Sequence, residues 1–225
     1  MEIIKCQNVA KDYYHNKLTT TVLRDINIDV RRGEFVAVTG PSGSGKTTLL
    51  YVMSGLESCT AGSVQLFGRD LAGFGARELA DIRKRRIGFV FQFYNLMPNL
   101  TVYENIMLAK VIAGNQEGDI DAALALVGME KRKRHFPTQL SGGEQQRVAV
   151  ARAIINNPDI VFADEPTGNL DHASGVAVME LFKRLNTEYR KTIVLVTHSE
   201  EVLRYCDRHV RLLDGRIIGD EKLGI

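Results

Sequence analysis

The sequence predicts an α/β fold: a mostly parallel sheet, an antiparallel sub-sheet beside it, and a helical lobe inserted part-way along the chain. Three observations predict it. Short apolar runs at residues 35–39, 87–91, 159–163 and 192–196 have the length and continuity of strands buried on both faces. Residues 2–9, 22–30 and 63–67 instead alternate in polarity or are bounded by glycine, which suits a sheet with one wetter face. Between residues 92 and 134 the pattern turns helical, most clearly over 102–112 and 120–127. The expected organisation is one domain, 1–225, with a core of 1–91 and 135–225 and a helical lobe of 92–134.

In chain order, a polar loop bearing Tyr13 and Tyr14 is expected to join the first two strands, and Arg31 to Glu34 to turn the chain into the third. Residues 48–53 open a helix, 63–67 form a strand between Gly62 and Gly68, and 77–86 form a charged helix. The basic run Lys131-Arg132-Lys133-Arg134 reads as a solvated loop or helix end rather than a nucleic-acid patch. Val148, Ala151, Arg152 and Ile155 recur at helical spacing after Leu140-Ser141-Gly142-Gly143. Gly168 to Asp171 is a turn, 192–196 the next strand, and Val210 to Gly219 a closing hairpin through Asp214-Gly215.

A chain of 225 residues with a formal net charge of +2 and 25 % charged residues gives no global electrostatic case for nucleic acid, and none is expected as a partner. The N-terminus lacks the charged start and apolar core of a signal peptide, and no apolar stretch reaches the 18 or so residues of a membrane span. Three widely spaced cysteines, Cys6, Cys59 and Cys206, suggest neither a disulfide framework nor a zinc site, so a soluble protein of a reducing compartment is expected.

The chemistry centres on Gly40-Pro41-Ser42-Gly43-Ser44-Gly45-Lys46-Thr47-Thr48, a phosphate-binding loop in its required setting between a strand and a helix. The pattern arises by chance in a chain this long on the order of once in a hundred. Gly40, Gly43 and Gly45 let the backbone wrap an anion, and Ser42, Ser44 and Thr48 belong to the same cradle. Lys46 supplies positive charge to the terminal phosphates and Thr47 a hydroxyl for Mg²⁺. Asp164 and Glu165 end the 159–163 strand where parallel sheets bind ligands, placing Asp164 to organise Mg²⁺ and Glu165 to orient or deprotonate an attacking water. His198 ends the next strand and can reach a γ-phosphate; Ser141 with Gly142 and Gly143 makes a second helix start suited to an anion. Either Tyr13 or Tyr14 could stack on an adenine face.

Together these stretches resemble the ATP-binding-cassette ATPases, over essentially the whole chain. The resemblance implies a phosphate-loop triphosphatase core, ATP and Mg²⁺ as the bound species, and ATP hydrolysis coupled to transport. It makes Ser141 to Gln145 the signature motif, Gln92 the glutamine that senses the metal, and Glu165 the catalytic glutamate. Gly168 to Asp171 become the loop placing Asp171 near the nucleotide, His198 the switch histidine, and Tyr13 rather than Tyr14 the adenine-stacking ring. Residues 87–92 and 163–171 are similar to the group of bacterial ATPases that release lipoproteins, export macrolides or resist antimicrobial peptides, a group that includes a cell-division ATPase. Ser199 stands where the family commonly has Asp, and is expected to cap the following helix. A head-to-tail homodimer or pseudo-dimer follows, in which Ser141 and Gly142 complete the opposite subunit's site, on the cytoplasmic face of the inner membrane against an integral permease subunit. The alternatives are a soluble cassette ATPase of DNA repair or translation and a nucleotide-dependent scaffold that barely hydrolyses. Residues 93–100, rich in apolar and aromatic side chains, suit a docking patch for the permease or, alternatively, the lobe's own core.

Overall fold

The computed structural model describes residues 1–15 and 18–224. The chain forms two compact units, Met1–Leu79 with Thr192–Ile225, and Ala80–Lys191. The segment 92–134 lies within the second, together with strands on either side of it.

In the first unit, β1 (Glu2–His15) and β2 (Leu18–Arg31) pair antiparallel, and β1 also pairs with β4 (Ala61–Leu66), which carries the two-residue β5 (Arg69–Asp70). This is the anticipated sub-sheet, with one correction. The tyrosine-bearing stretch is not a loop: residues 11–15 continue β1 and pair with 18–23 of β2. Its side chains are polar or aromatic and none is fully buried, so no apolar alternation marks it, and the backbone ladder extends the hairpin.

The same unit holds β3 (Phe35–Thr39) between two parallel neighbours, β8 (Thr192–Thr197) and β9 (Arg208–Leu213), with β10 (Arg216–Lys222) antiparallel on β9. Phe35 to Val38 and Ile193 to Val196 are fully buried, as expected of strands covered on both faces. Leu49, Leu50, Val52 and Met53 of α1 (Lys46–Met53) are buried in the same unit. The hairpin joining β9 to β10 turns at Asp214 and Gly215, both at positive φ (47° and 76°), the backbone that a two-residue hairpin turn needs.

The second unit is a two-stranded parallel pair, β6 (Ile87–Phe91) and β7 (Ile160–Asp164), with helices α3 (Val102–Ile112), α4 (Ile120–Leu126), α5 (Gly142–Ile154) and α6 (His172–Thr187). The charged α2 (Ala76–Arg86) bridges the boundary in sequence and leads into β6. Gly88 lets α5 approach that strand closely: a Cβ there would stand 2.5 Å from the Ala153 carbonyl oxygen. Two elements differ from expectation. Helix α6 was not read from the sequence, although Asp171 caps it and Val178, Leu181, Phe182 and Leu185 are buried at helical spacing. Ser199 precedes a short 3₁₀ turn but makes no side-chain cap; its own N–H donates to Thr197 Oγ1 at 3.1 Å instead.

Candidate functional sites

The first cluster lies in the first unit. After the wholly buried β3 the chain turns through the glycine-rich loop into α1, whose cap is Gly45 in the left-handed region (φ 100°). No side chain caps this helix and no acid lies in its first turn, so its leading N–H groups keep their positive end for an incoming anion. Lys46 is only 8 % exposed, and its Nζ donates to the Gly40 and Pro41 carbonyl oxygens at 2.9 and 3.0 Å, across the loop it serves. Ser44 Oγ is buried and without a partner among the described residues. A caged ammonium, an orphan hydroxyl and an uncapped helix start together fit a polyphosphate.

The loop is braced from outside by residues that no motif marks. A Cβ on Gly40 would stand 2.1 Å from the Leu212 carbonyl oxygen, and the Gly215 N–H donates to the Ser44 carbonyl at 3.0 Å. Gly215 is itself pressed on β2, where a Cβ would meet the Val22 carbonyl at 2.2 Å, and its carbonyl accepts from the Arg24 N–H at 2.8 Å. These contacts join residues from opposite ends of the chain, so local pattern cannot announce them. His198, exposed at the end of β8, lines a cavity of about 310 Å³ together with Thr39, Gly40, Pro41 and Arg211. The structure thus brings His198 and the start of the phosphate loop to one cavity.

Tyr13 also belongs to this unit. Its hydroxyl donates to Glu57 Oε2, and Lys11 Nζ stands 4.9 Å from the centre of its ring. Partial burial, then the Glu57 hydrogen bond, raises the phenol's pKa above the ordinary tyrosine value, which keeps the donor protonated. Tyr14 is 71 % exposed.

The second cluster lies in the second unit. Asp164 ends β7, and Glu165 follows at φ 46°, a backbone costly for a non-glycine residue and found disproportionately at functional sites. Its carbonyl accepts from the Gly168 N–H at 3.0 Å, closing the turn. Gln92 and Asn169 clasp each other: Gln92 Nε2 donates to Asn169 Oδ1 and Asn169 Nδ2 to the Gln92 carbonyl, both at 3.2 Å. Asp171 caps α6 by accepting from the Ser174 N–H at 3.0 Å, and the Ser174 hydroxyl and N–H hold its carboxyl below the usual range.

Ser141 starts α5 with a complete capping box. Its Oγ accepts from the Glu144 N–H at 3.2 Å, and Glu144 Oε2 accepts from the Ser141 N–H at 2.9 Å. Gly143 permits close packing on α6, since a Cβ there would meet Ser174 Oγ at 2.5 Å, and one on Gly142 would meet the Tyr94 hydroxyl at 2.8 Å. The structure therefore gathers Gln92, the Gly168–Asp171 turn and the Ser141–Gly143 turn in one unit.

The ABC transporter family model matches residues 23–168, from β2 through the phosphate loop and the Ser141 turn to Gly168. The chain belongs to the ABC transporter ATPase family. It is 43 % identical to the lipoprotein-releasing system ATP-binding protein LolD of Geobacter metallireducens, over 97 % of this chain and 99 % of that protein. It is 44 % identical to the macrolide export ATP-binding/permease protein MacB of Syntrophobacter fumaroxidans, over 96 % of this chain but 31 % of that longer one. A bacterial ABC transporter cassette solved as a dimer has 40 % identity and a TM-score of 0.90, with 99 % of each chain covered. A related dimeric structure, in a post-hydrolysis state with ADP and Pi, has a TM-score of 0.89 at 40 % identity. As a member of this family the chain is an ATP-binding, ATP-hydrolysing transporter subunit.

Proposed function

We propose that this ATPase drives an integral membrane permease as a head-to-tail dimer on the cytoplasmic face of the inner membrane, in export or extraction of a lipoprotein, peptide or antibiotic. The cargo class is carried by likeness to the lipoprotein-releasing and macrolide-export proteins. Lys46 and the α1 N-terminus bind the phosphates, and Tyr13 takes the adenine. Thr47, Asp164 and Gln92 supply the hydroxyl, carboxylate and amide oxygens that suit Mg²⁺. When bound, the metal neutralises charge developing on the transferred phosphoryl group. Glu165 orients and deprotonates the attacking water, His198 holds the γ-phosphate side, and Asp171 with Ser141, Gly142 and Gly143 serves the nucleotide across the dimer. Residues 92–134 act as the helical lobe that moves with the partner.

The observation that carries the permease partner is the surface of residues 93–97. Phe93 is 74 % and Met97 50 % exposed, whereas Tyr94 and Leu96 are half-buried, so the first pair offers the apolar docking surface. The segment is held in place from α5: Arg152 donates to the Tyr94 carbonyl at 2.8 Å and to the Asn95 carbonyl. Phe93→Ser with Met97→Ser should leave basal ATPase near normal and abolish co-purification with a permease. Unchanged co-purification would remove the docking surface from this segment. For the chemistry, Glu165→Gln should lower turnover by a factor on the order of 100 or more while ATP binding persists. Near-normal turnover would take Glu165 out of the role.

A further inference from the structure

The ring of Tyr13 is tied more tightly than a solvent-facing tyrosine needs. Lys11 and Tyr13 stand two apart on β1 and so share a strand face. The Lys11 ammonium lies 4.9 Å from the ring centre, 3.2 Å from Glu57 Oε2 and 2.8 Å from the Ser58 carbonyl oxygen to which it donates. That same Glu57 Oε2 accepts from the Tyr13 hydroxyl, so one carboxylate oxygen closes a circuit of phenol, carboxylate and ammonium. The Thr48 side chain lies near the phenol oxygen and opposes the rise in its pKa. Thr48 belongs to the phosphate loop's helix, and Glu57 follows that helix directly, its N–H donating to the Tyr51 carbonyl at 3.1 Å. The element that starts at the phosphates therefore also fixes the ring.

Simple stapling of β1 does not require this circuit. Thr60 already joins the two stretches, donating its N–H to the Ala10 carbonyl at 2.8 Å and accepting from the Asp12 N–H at 2.9 Å. Tyr14, 71 % exposed, takes no part in the circuit.

We infer that Lys11 and Glu57 are positioning residues that make Tyr13 a one-sided platform, the Lys11 ammonium covering one ring face and the opposite face receiving the adenine. The inference rests on the assignment of Tyr13 as the base-stacking ring. Two physical effects follow. A ring already held by Glu57 and Lys11 gives up little rotamer freedom when the base arrives. A cation on the far face draws electron density from the ring, which lowers the repulsion between its π cloud and that of the base on the open face. Neither effect touches the phosphates.

The test compares Mg-ADP with Mg-pyrophosphate, which lacks the base, by calorimetric titration of the full chain. Tyr13→Ala should weaken ADP binding about tenfold, from the loss of base stacking. Lys11→Met and Glu57→Ala should each weaken it about threefold, with Lys11→Arg and Glu57→Gln recovering most of the loss. Pyrophosphate affinity should be the same in all five variants, which also shows that the loop is folded. Loss in Tyr13→Ala with none in Lys11→Met and Glu57→Ala would overturn the platform and keep the stacking assignment. No loss in Tyr13→Ala would overturn both. Parallel loss of ADP and pyrophosphate would make the circuit a structural staple and overturn the platform equally.

Discussion

Two helices in this chain start at glycine-rich turns suited to an anion, and they start in opposite ways. Helix α1, in the first unit, begins at Gly45 with no side-chain cap and no acid in its first turn, beside a buried hydroxyl without a partner. Helix α5, in the second unit, begins at Ser141 inside a closed capping box, and Arg132 reinforces that box by donating to Glu144 Oε1 at 3.0 Å. The first start is complete only when an anion is present. The second is satisfied by its own side chains. Under the proposed function, the first start would hold the nucleotide throughout the cycle and the second would meet it only when a dimer closes around ATP.

The largest effect that would break this contrast is expected at Lys46. Lys46→Ala removes the charge that spans the loop and should weaken ATP binding by a factor on the order of 100, measured on the chain alone. Ser141→Arg should leave that binding unchanged in dilute protein while abolishing cooperative hydrolysis, because in the proposed dimer the second start serves an opposing subunit. Loss of ATP binding by dilute Ser141→Arg chains would show the two starts to be one site.

The brace behind the phosphate loop comes next. Gly215→Ala places a Cβ against the Val22 carbonyl and a side chain at positive φ, and should cost about 1–3 kcal/mol of stability. ATP affinity should fall with it, because the Gly215 N–H holds Ser44. Urea unfolding alongside ATP titration checks both. A wild-type midpoint in that variant would remove the hairpin from the support of the loop.

The smallest effect is the pH dependence that the α5 cap contributes. The Ser141 N–H holds the Glu144 carboxyl below its usual range, with Arg132 assisting. A depressed folded pKa means that the charge stabilises the folded state fully above the unfolded value, about 4.3. That contribution is lost as pH falls through the lower folded value. The urea midpoint of the wild type should therefore fall more steeply below about pH 4.3 than that of Glu144→Gln. Identical acid limbs would take the capping box out of the account. The α1 start has no acid in its first turn to titrate.

What the sequence made legible follows the range of the interactions involved. The phosphate loop, β3, β6, β7 and β8 are written in contiguous residues, so motif and apolar run agree with the structure. Ser141 was legible as the start of a helix suited to an anion, and the structure shows that start closed by its own capping box. Residues 11–15 gave no strand signal because they carry no apolar alternation, and what orders them is the ladder with β2 and polar contacts to residues 57–60, remote in sequence. Helix α6 does carry its signal, Asp171 followed by apolar residues at helical spacing, with His172, Ser174 and Gly175 diluting it in the first turn. Leu212 and Gly215 act on the loop through backbone atoms, which no side-chain pattern reports.

The contrast between the two helix starts is tested most directly by amide hydrogen exchange of the Glu165→Gln chain with and without Mg-ATP, at protein concentrations below and above dimer formation. The account predicts that amides of residues 42–48 slow on ATP addition at every concentration, while those of residues 142–145 slow further only where dimers form. Slowing of residues 142–145 in step with 42–48 in the monomer would contradict it.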